Sequence, residues 1–415
     1  MIDLRVNEAR LWSRIQEMAK HGATSAGGCN RQALTDEDKA GRELFIKWCK
    51  AADLDVRIDG IGNIFARRAG RSATGAVLTG SHLDTQPSGG KYDGILGVLA
   101  GLEVCESLND QDIETEFPVE LVVWTNEEGC RFHTAMMGSA VWAGAMPLEA
   151  AYALCDSSGA SVREELIRID QLGIDSVLTS DIAAAFELHI EQGPVLEAEQ
   201  LEVGVVIGVQ HMSRHRIVIT GKEAHAGPTP MTERLDPMRA LADFLPRLYA
   251  MAEAHGPDAR ITFGFIEAAP GSNNTVPGML TLTVDIRHPE RDHYEAMVGE
   301  AYLIIGEACD TQGLPVLIEE FWKADGVSFD QECIAAVTGA VDLLEYAAKP
   351  MVSGAGHDAC HVASVCPTSM IFIPCEGGLS HNEAESITQT QASIGANVLL
   401  HAMLKRATLV PSSKD

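Results

Sequence analysis

The sequence predicts an α/β protein in which a small α+β domain interrupts a larger domain of alternating strands and helices. Short β-branched runs alternate with helical patterns through the first half of the chain, an order that builds a mainly parallel sheet. Near residue 211 that alternation gives way to a β-α-β-β-α-β succession, and after residue 325 it resumes. The large domain is therefore expected over 1–210 and 326–415, with the insertion over 211–325.

Each element has its own signal. Val56-Arg-Ile-Asp-Gly-Ile-Gly-Asn-Ile-Phe65 reads as two strands joined at a glycine turn. The apolar run 76–81 reads as a buried strand, and 94–108 as a helix with an apolar face. Further strands are expected at 119–125 and 184–189, with a helical region around 136–145. In the insertion, strands fall at 215–221, 260–266, 279–287 and 315–323, and helices at 236–254 and 292–312. Their order is that of a ferredoxin-like layer. A helix at 332–346 and a buried strand at 369–374 return the chain to the large domain.

Composition narrows the function classes. With 415 residues, 46% hydrophobic and 22% charged, the chain has the make-up of an ordinary globular protein large enough for two domains. A formal charge of −28 argues against nucleic acid and against an anionic membrane surface, because both need clustered Lys and Arg. A small anionic substrate stays open, since one or two placed arginines make a local positive pocket. The first residues are charged and amphipathic, unlike a signal peptide, and no run approaches the roughly 18 apolar residues of a membrane span. Ten cysteines without a CxxC pair fit reduced thiols, and the cytoplasm is the expected compartment.

The chemistry concentrates just after the predicted strands of the large domain. His82, Asp84 and Asp93 follow the first buried strand; Asn126-Glu-Glu-Gly129 the next; His189-Ile-Glu-Gln-Gly-Pro194 the third; and Ser380-His-Asn-Glu383 the last. In a parallel sheet such positions gather along one edge, where α/β proteins form their sites. Imidazoles and carboxylates without thiolate suit Zn, Mn, Co or Ni. Two such cations account for the whole inventory. Asp93 bridges them, His82 and His189 complete one side, and Glu128 and His381 complete the other. Glu127, next to Glu128, is the candidate general base, and Asp84 is expected to orient the His82 ring with its carboxylate. A divalent metal brings the pKa of water to roughly 7 and so supplies a nucleophile at neutral pH.

Taken together the motifs resemble the zinc aminoacylase and glutamate carboxypeptidase superfamily. Within it they are most similar to the N-carbamoyl-L-amino-acid hydrolase, β-ureidopropionase and allantoate amidohydrolase family, over about residues 10 to 405. The resemblance rests on Gly80-Ser-His-Leu-Asp-Thr-Gln-Pro-Ser-Gly-Gly-Lys-Tyr-Asp-Gly94, Asn126-Glu-Glu-Gly-Cys-Arg-Phe132 and Glu187-Leu-His-Ile-Glu-Gln-Gly-Pro194. It also rests on Ala224-His-Ala-Gly-Pro-Thr-Pro-Met231, Asn274-Thr-Val-Pro277, Asp285-Ile-Arg287, Ser353-Gly-Ala-Gly-His-Asp-Ala359 and Ser380-His-Asn382. It implies a bimetal exopeptidase-like catalytic domain, zinc as the first choice of metal, and an inserted lid and dimerisation domain that makes a homodimer.

The resemblance further implies that His225 steadies the oxyanion, in cis or across the dimer. Asn274 and Arg287 would hold a substrate carboxylate, Gln192 would lie near the carbamoyl group, and Gly356 and His357 would line the pocket. The implied reaction is hydrolysis of an N-carbamoyl-L-amino acid or N-carbamoyl-β-alanine to amino acid, carbon dioxide and ammonia. Allantoate hydrolysis is the nearest alternative, followed by dipeptidase or N-acyl amino acid deacylase activity. The segment Gly208-Val-Gln-His-Met-Ser-Arg-His215 departs from the family pattern in carrying two histidines and an arginine.

Overall fold

The computed structural model describes residues 4–173 and 181–408. The chain folds as two compact units, Met1–Ile207 with Ser328–Asp415, and Gly208–Val327.

In the first unit one sheet carries the strands in the order Asp55–Ile58, Ile64–Arg68, Val119–Trp124, Ala76–His82, Ile182–Ile190, Thr368–Ile373, Val203–Val209, and Ala348–Ser353 also pairs with the last of these. The four central strands run parallel. Asp55–Ile58 with Ile64–Arg68, Ile64–Arg68 with Val119–Trp124, and Thr368–Ile373 with Val203–Val209 pair antiparallel, so the sheet is mixed, which corrects the expectation of a mainly parallel one. The cause is local at the first edge: five residues separate Ile58 from Ile64, enough for a turn and far too few for a crossover helix.

The central strands are buried on both faces, so their sequences run as apolar blocks rather than alternating. One face is covered by helices Ile95–Asp110 and Gln389–Ala407, against which Glu8–Met18 and Gln331–Leu344 pack. The other face carries a smaller cluster of Phe65, Leu78, Val122, Trp124, Trp142 and Val362. Helix starts are fixed by caps: Asn7 accepts from Arg10 N–H, Thr35 from Asp38 N–H, and Thr388 forms a capping box with Gln391.

A buried polar frame braces the carboxyl edge of this sheet. The Arg31 guanidinium, fully buried, donates to the carbonyls of Leu83 (2.8 Å), His21 (2.7 Å) and Met18 (3.1 Å). Its backbone exchanges bonds with Thr85, giving its N–H to Oγ1 (2.8 Å) and accepting the Thr85 N–H (3.0 Å). The loop after His82 is thereby tied to the N-terminal segment, and the buried charge is solvated by backbone carbonyls. Asn63 does the same for the next strand end, accepting from Thr125 N–H (3.0 Å) and donating to Gly138 O (3.0 Å).

The second unit is a four-stranded antiparallel sheet in the order Val316–Ala324, His211–Thr220, Met279–His288, Arg260–Ala269. Helices Pro237–Ala254 and Arg291–Thr311 supply its core, meeting Ile217, Ile219, Leu280, Leu282, Val284 and Ile286. Strand Met279–His288 alternates strictly, so Thr281, Thr283, Asp285 and Arg287 line the opposite face. His211 stacks on Tyr294 (5.5 Å) and accepts from Gly326 N–H (2.8 Å), which makes it a packing residue of this unit.

Candidate metal centre and active site

The four motif clusters of the first unit meet at the carboxyl ends of the central strands. Asp93 lies at their centre with its two oxygens divided. Oδ1 sits 3.0 Å from His189 Nε2 and 3.6 Å from His82 Nε2, whereas Oδ2 sits 3.6 Å from His381 Nε2. His381 Nε2 is also 3.3 Å from Glu128 Oε2. His82, Asp93 and His189 form one group able to hold a cation, Asp93, Glu128 and His381 a second, and Glu187, His189 and His357 a third that shares His189 with the first.

Ring orientation tests whether these groups fit a metal. His82 Nδ1 donates to the Asp84 carbonyl and His189 Nδ1 to the Ile190 carbonyl, both at 2.9 Å. In the neutral tautomer each Nε2 then turns a lone pair toward Asp93 Oδ1. Two lone pairs facing a carboxylate oxygen repel unless a cation lies between them, so the donor set fits.

Asp84 supports the site by a route other than the expected one. Its backbone carbonyl, not its carboxylate, holds the His82 ring. The carboxylate instead accepts from the N–H groups of Glu127 (Oδ1, 3.2 Å) and Glu128 (Oδ2, 3.1 Å), fixing the turn that presents both glutamates. Gln86 adds donors to Glu128 from its N–H (3.2 Å) and its amide (2.7 Å). Glu127 Oε2 stands 3.6 Å from His82 Nε2 and belongs to none of the cation-holding groups.

The backbone is bent to make this possible. Asn126, Gln192 and His381 all adopt positive φ, at 56°, 58° and 53°, unusual for non-glycine residues and clustered at the site. Gly94 has φ 71°, and a Cβ there would fall 2.4 Å from the His82 ring. Gly94→Ala should cost about 1–3 kcal/mol in backbone strain and displace the imidazole. Thermal unfolding together with cation titration checks this, and an unaltered melting curve with wild-type cation uptake would refute it.

Residues 78–405 match the sequence pattern of Peptidase family M20/M25/M40. The chain belongs to this family. It is 46% identical over 407 residues to the N-carbamoyl-L-amino-acid amidohydrolase of Rhizobium meliloti, covering 98% of each chain. It is 31% identical to the allantoate amidohydrolase of Bacillus subtilis, covering 95% of this chain and 96% of that protein. Among solved structures, a hydantoinase/carbamoylase family amidase from Burkholderia multivorans superposes with a TM-score of 0.95 at 46% identity, over 98% of this chain and 99% of that one.

Other site residues of this M20 family chain fall into two groups. Gln192 and His357 join the centre in the first unit. Gln192 donates to Asp93 Oδ2 (2.8 Å) and Ser380 Oγ (3.1 Å), while its own amide oxygen is buried without a partner. His357 packs edge-on to His189 at 4.7 Å, and Gly356 precedes it, facing Met136. His225, Asn274 and Arg287 lie in the second unit. The two-residue strand Ala224–His225 pairs with Thr275–Val276, and Ala226 N–H donates to Asn274 O (2.8 Å). Arg287 makes a forked pair with Asp285 (2.6 and 3.0 Å) beside a cavity of about 240 Å³ that also meets Arg214, Thr262, Thr283 and Phe321.

Burial and charge polarise the centre. Burial pushes the Glu127 carboxyl well above the usual range, opposed by His82 and reinforced by Asp358 and Glu128. Burial raises Glu128 as well, with Asp93 adding to it. His357 is held well below the usual imidazole range by burial and by His189, so it is neutral. With no cation between them, protonated His189 and His82 take its place and hold the Asp93 carboxyl well below the usual range against its burial.

Sequence reasoning missed three carboxylates behind these groups. Glu187 accepts from Ser81 Oγ (2.7 Å) and Ala359 N–H (3.0 Å), and Asp358 accepts from Ser139 Oγ. Glu385 accepts the N–H groups of Tyr92 (2.9 Å) and Asp93 (3.1 Å). Glu187 carried one available signal, a charge two residues before His189 inside an otherwise apolar strand.

Proposed function

We propose that this protein hydrolyses N-carbamoyl-L-amino acids to the amino acid, carbon dioxide and ammonia. The observation that carries the reading is the divided Asp93 carboxylate, with imidazole and carboxylate donors on both sides, in a chain 46% identical to an enzyme named for that reaction. His82, Asp93 and His189 would hold one divalent cation, and Asp93, Glu128 and His381 a second. Zinc is the first choice, with Mn, Co and Ni chemically acceptable. Bound there, the cations supply Lewis acidity toward the ureido carbonyl and toward water.

The chain's own groups carry the remaining work. Glu127 takes the proton from the attacking water and returns it to the departing nitrogen. One water is consumed overall: the C–N bond to the amino acid breaks, and the carbamate left over separates into carbon dioxide and ammonia. His225 is assigned to the carbonyl oxygen, from the same subunit or a partner. Its Nδ1 accepts the Gly227 N–H (3.1 Å), which leaves the proton on Nε2 and makes that nitrogen a donor. Gln192 is assigned to the carbamoyl group, and Asn274 and Arg287 to the substrate carboxylate, with Gly356 and His357 lining the pocket.

Arg287 is braced by its forked pair with Asp285, which fixes the orientation of the guanidinium assigned to the substrate carboxylate. Arg287→Ala should raise KM by at least about tenfold, the equivalent of a lost charge-assisted bond, with a smaller change in kcat. A KM unchanged in steady-state kinetics would remove the assignment.

The Gly208–Val327 unit is proposed as lid and homodimer surface, and the cytoplasm as the compartment. All ten cysteines are free thiols, and no helix among the described residues is long and apolar enough to cross a membrane. Allantoate hydrolysis is the second reading, favoured by the 31% identical enzyme from Bacillus subtilis. Metal-stripped protein reloaded with Zn, Mn, Co or Ni and offered N-carbamoyl-L-amino acids, N-carbamoyl-β-alanine, allantoate, N-acetyl amino acids and dipeptides decides between them. Metal-dependent ammonia release from carbamoyl substrates supports the proposal. Turnover confined to allantoate or to dipeptides defeats it.

A further inference from the structure

The two halves of the metal centre are built very differently. His82 and His189 project from sheet strands and are 2% and 1% exposed, whereas His381 is 50% exposed and sits in a loop at positive φ. Asp93 and His381 come from segments far apart in sequence, and neither strand pairing nor a helix fixes His381. Two side chains flanking it do attach its loop to the Asp93 turn. Ser380 Oγ donates to Asp93 Oδ2 (2.5 Å). On the other side, a single Glu385 oxygen accepts both Tyr92 N–H (2.9 Å) and Asp93 N–H (3.1 Å).

Between these attachments the loop is tight, with Glu385 N–H donating to Asn382 O (3.0 Å) and Ala384 N–H to Asn382 Oδ1 (2.9 Å). Glu385 is itself buried, at 5% exposure, and its second oxygen has no hydrogen-bond partner. A buried carboxyl group with one oxygen left unsatisfied is costly, so its presence at this point asks for a compensating role. Space is cleared for it: a Cβ at Gly90 would fall 2.1 Å from the carboxylate.

We propose that Glu385 is a positioning residue that registers the His381 loop against Asp93 and thereby sets the affinity of the Asp93–Glu128–His381 subsite. This rests on the two-cation reading above. It makes a selective demand, because the strand-borne His82 and His189 do not depend on the clip. Disturbing an outer-shell partner of a metal site typically costs about 10–100-fold in affinity, and here that loss should fall on one cation of the two.

The test titrates Co²⁺ or Zn²⁺ into metal-stripped full-length protein against a competing chelator. Wild type should take up two equivalents. Glu385→Ala should keep one tight equivalent and bind the second about 10–100-fold more weakly. Gly90→Ala leaves the carboxylate in the chain but drives it from its place, and should reproduce that pattern. Glu385→Gln keeps an oxygen able to accept both N–H groups and should retain two equivalents within a few-fold of wild type. Thermal unfolding of the metal-free proteins reports whether each variant is folded, and if Glu385→Ala is not, Gly90→Ala and Glu385→Gln decide. The inference is overturned if both alanine variants bind two equivalents as tightly as wild type, if they weaken both equally, or if the glutamine variant fails as the alanine does. A wild type that takes up fewer than two equivalents defeats the two-cation reading itself, an outcome told apart because it needs no variant.

Discussion

Replacing Glu127 with glutamine should lower kcat on the carbamoyl substrate by about 10²–10⁴-fold, the usual worth of a general acid–base group, while the cation content stays at its wild-type value. The separation follows from the turn that presents the two glutamates. Asp84 holds both backbone N–H groups, so the turn persists whatever side chain residue 127 carries. Glutamine has the same shape, and only the basic oxygen is lost. Glu127 stands outside every cation-holding group, whereas Glu128 lies within one of them. Glu128→Gln should therefore reduce cation uptake, and Glu127→Gln should not. Both quantities can be read on the same preparation, kcat by ammonia release and metal by elemental analysis. Activity above half of wild type in Glu127→Gln would end its assignment as the base, and loss of metal would make it a ligand instead.

How much of this was legible in the sequence depended on whether a residue announced its chemistry locally. His82, Asp93, Glu128, His189 and His381 each follow an apolar run that reads as a strand, and parallel topology alone carries such positions to one edge. The antiparallel flanks were not legible, because strand direction depends on connection length and on partners distant in sequence. Helix Gln389–Ala407 escaped for a different reason. It is buried almost all round from Ala392 to Leu400, so it shows no apolar stripe. Helix Glu8–Met18, with Leu11, Ile15 and Met18 buried, does carry a helical period, and the amphipathic pattern of the first residues is its trace in the sequence.

Asp84 shows the limit within the site. Its spacing from His82 suggested a carboxylate behind the ring, but the chain turns so that the carbonyl takes that role and the carboxylate is freed for the next strand's turn. Glu385 was invisible for a related reason: its partners are backbone N–H groups of Tyr92 and Asp93, and a backbone group leaves no mark in a sequence.

Asp93→Asn should have the broadest effect on the metal centre, removing tight binding at both subsites, and its logic comes from how the carboxylate is shared. Oδ1 is placed against both His82 and His189, and Oδ2 faces His381. An asparagine preserves shape and leaves one carbonyl oxygen, but it cannot offer an anionic atom to each side at once. Its amide N–H₂ must point toward one set of imidazoles, presenting protons where a cation should sit. His381→Ala is the contrast, since it takes a donor from one side only and should leave the His82–His189 side loaded. The expected order of cation uptake is thus two equivalents for wild type, one for His381→Ala and none held tightly by Asp93→Asn. The affinity loss in the last should exceed the about 10–100-fold that disturbing an outer-shell partner costs. Dialysis against a weak chelator followed by elemental analysis distinguishes the three. Two equivalents retained by Asp93→Asn would refute the bridging role, and retention of one would mean that Asp93 serves a single subsite.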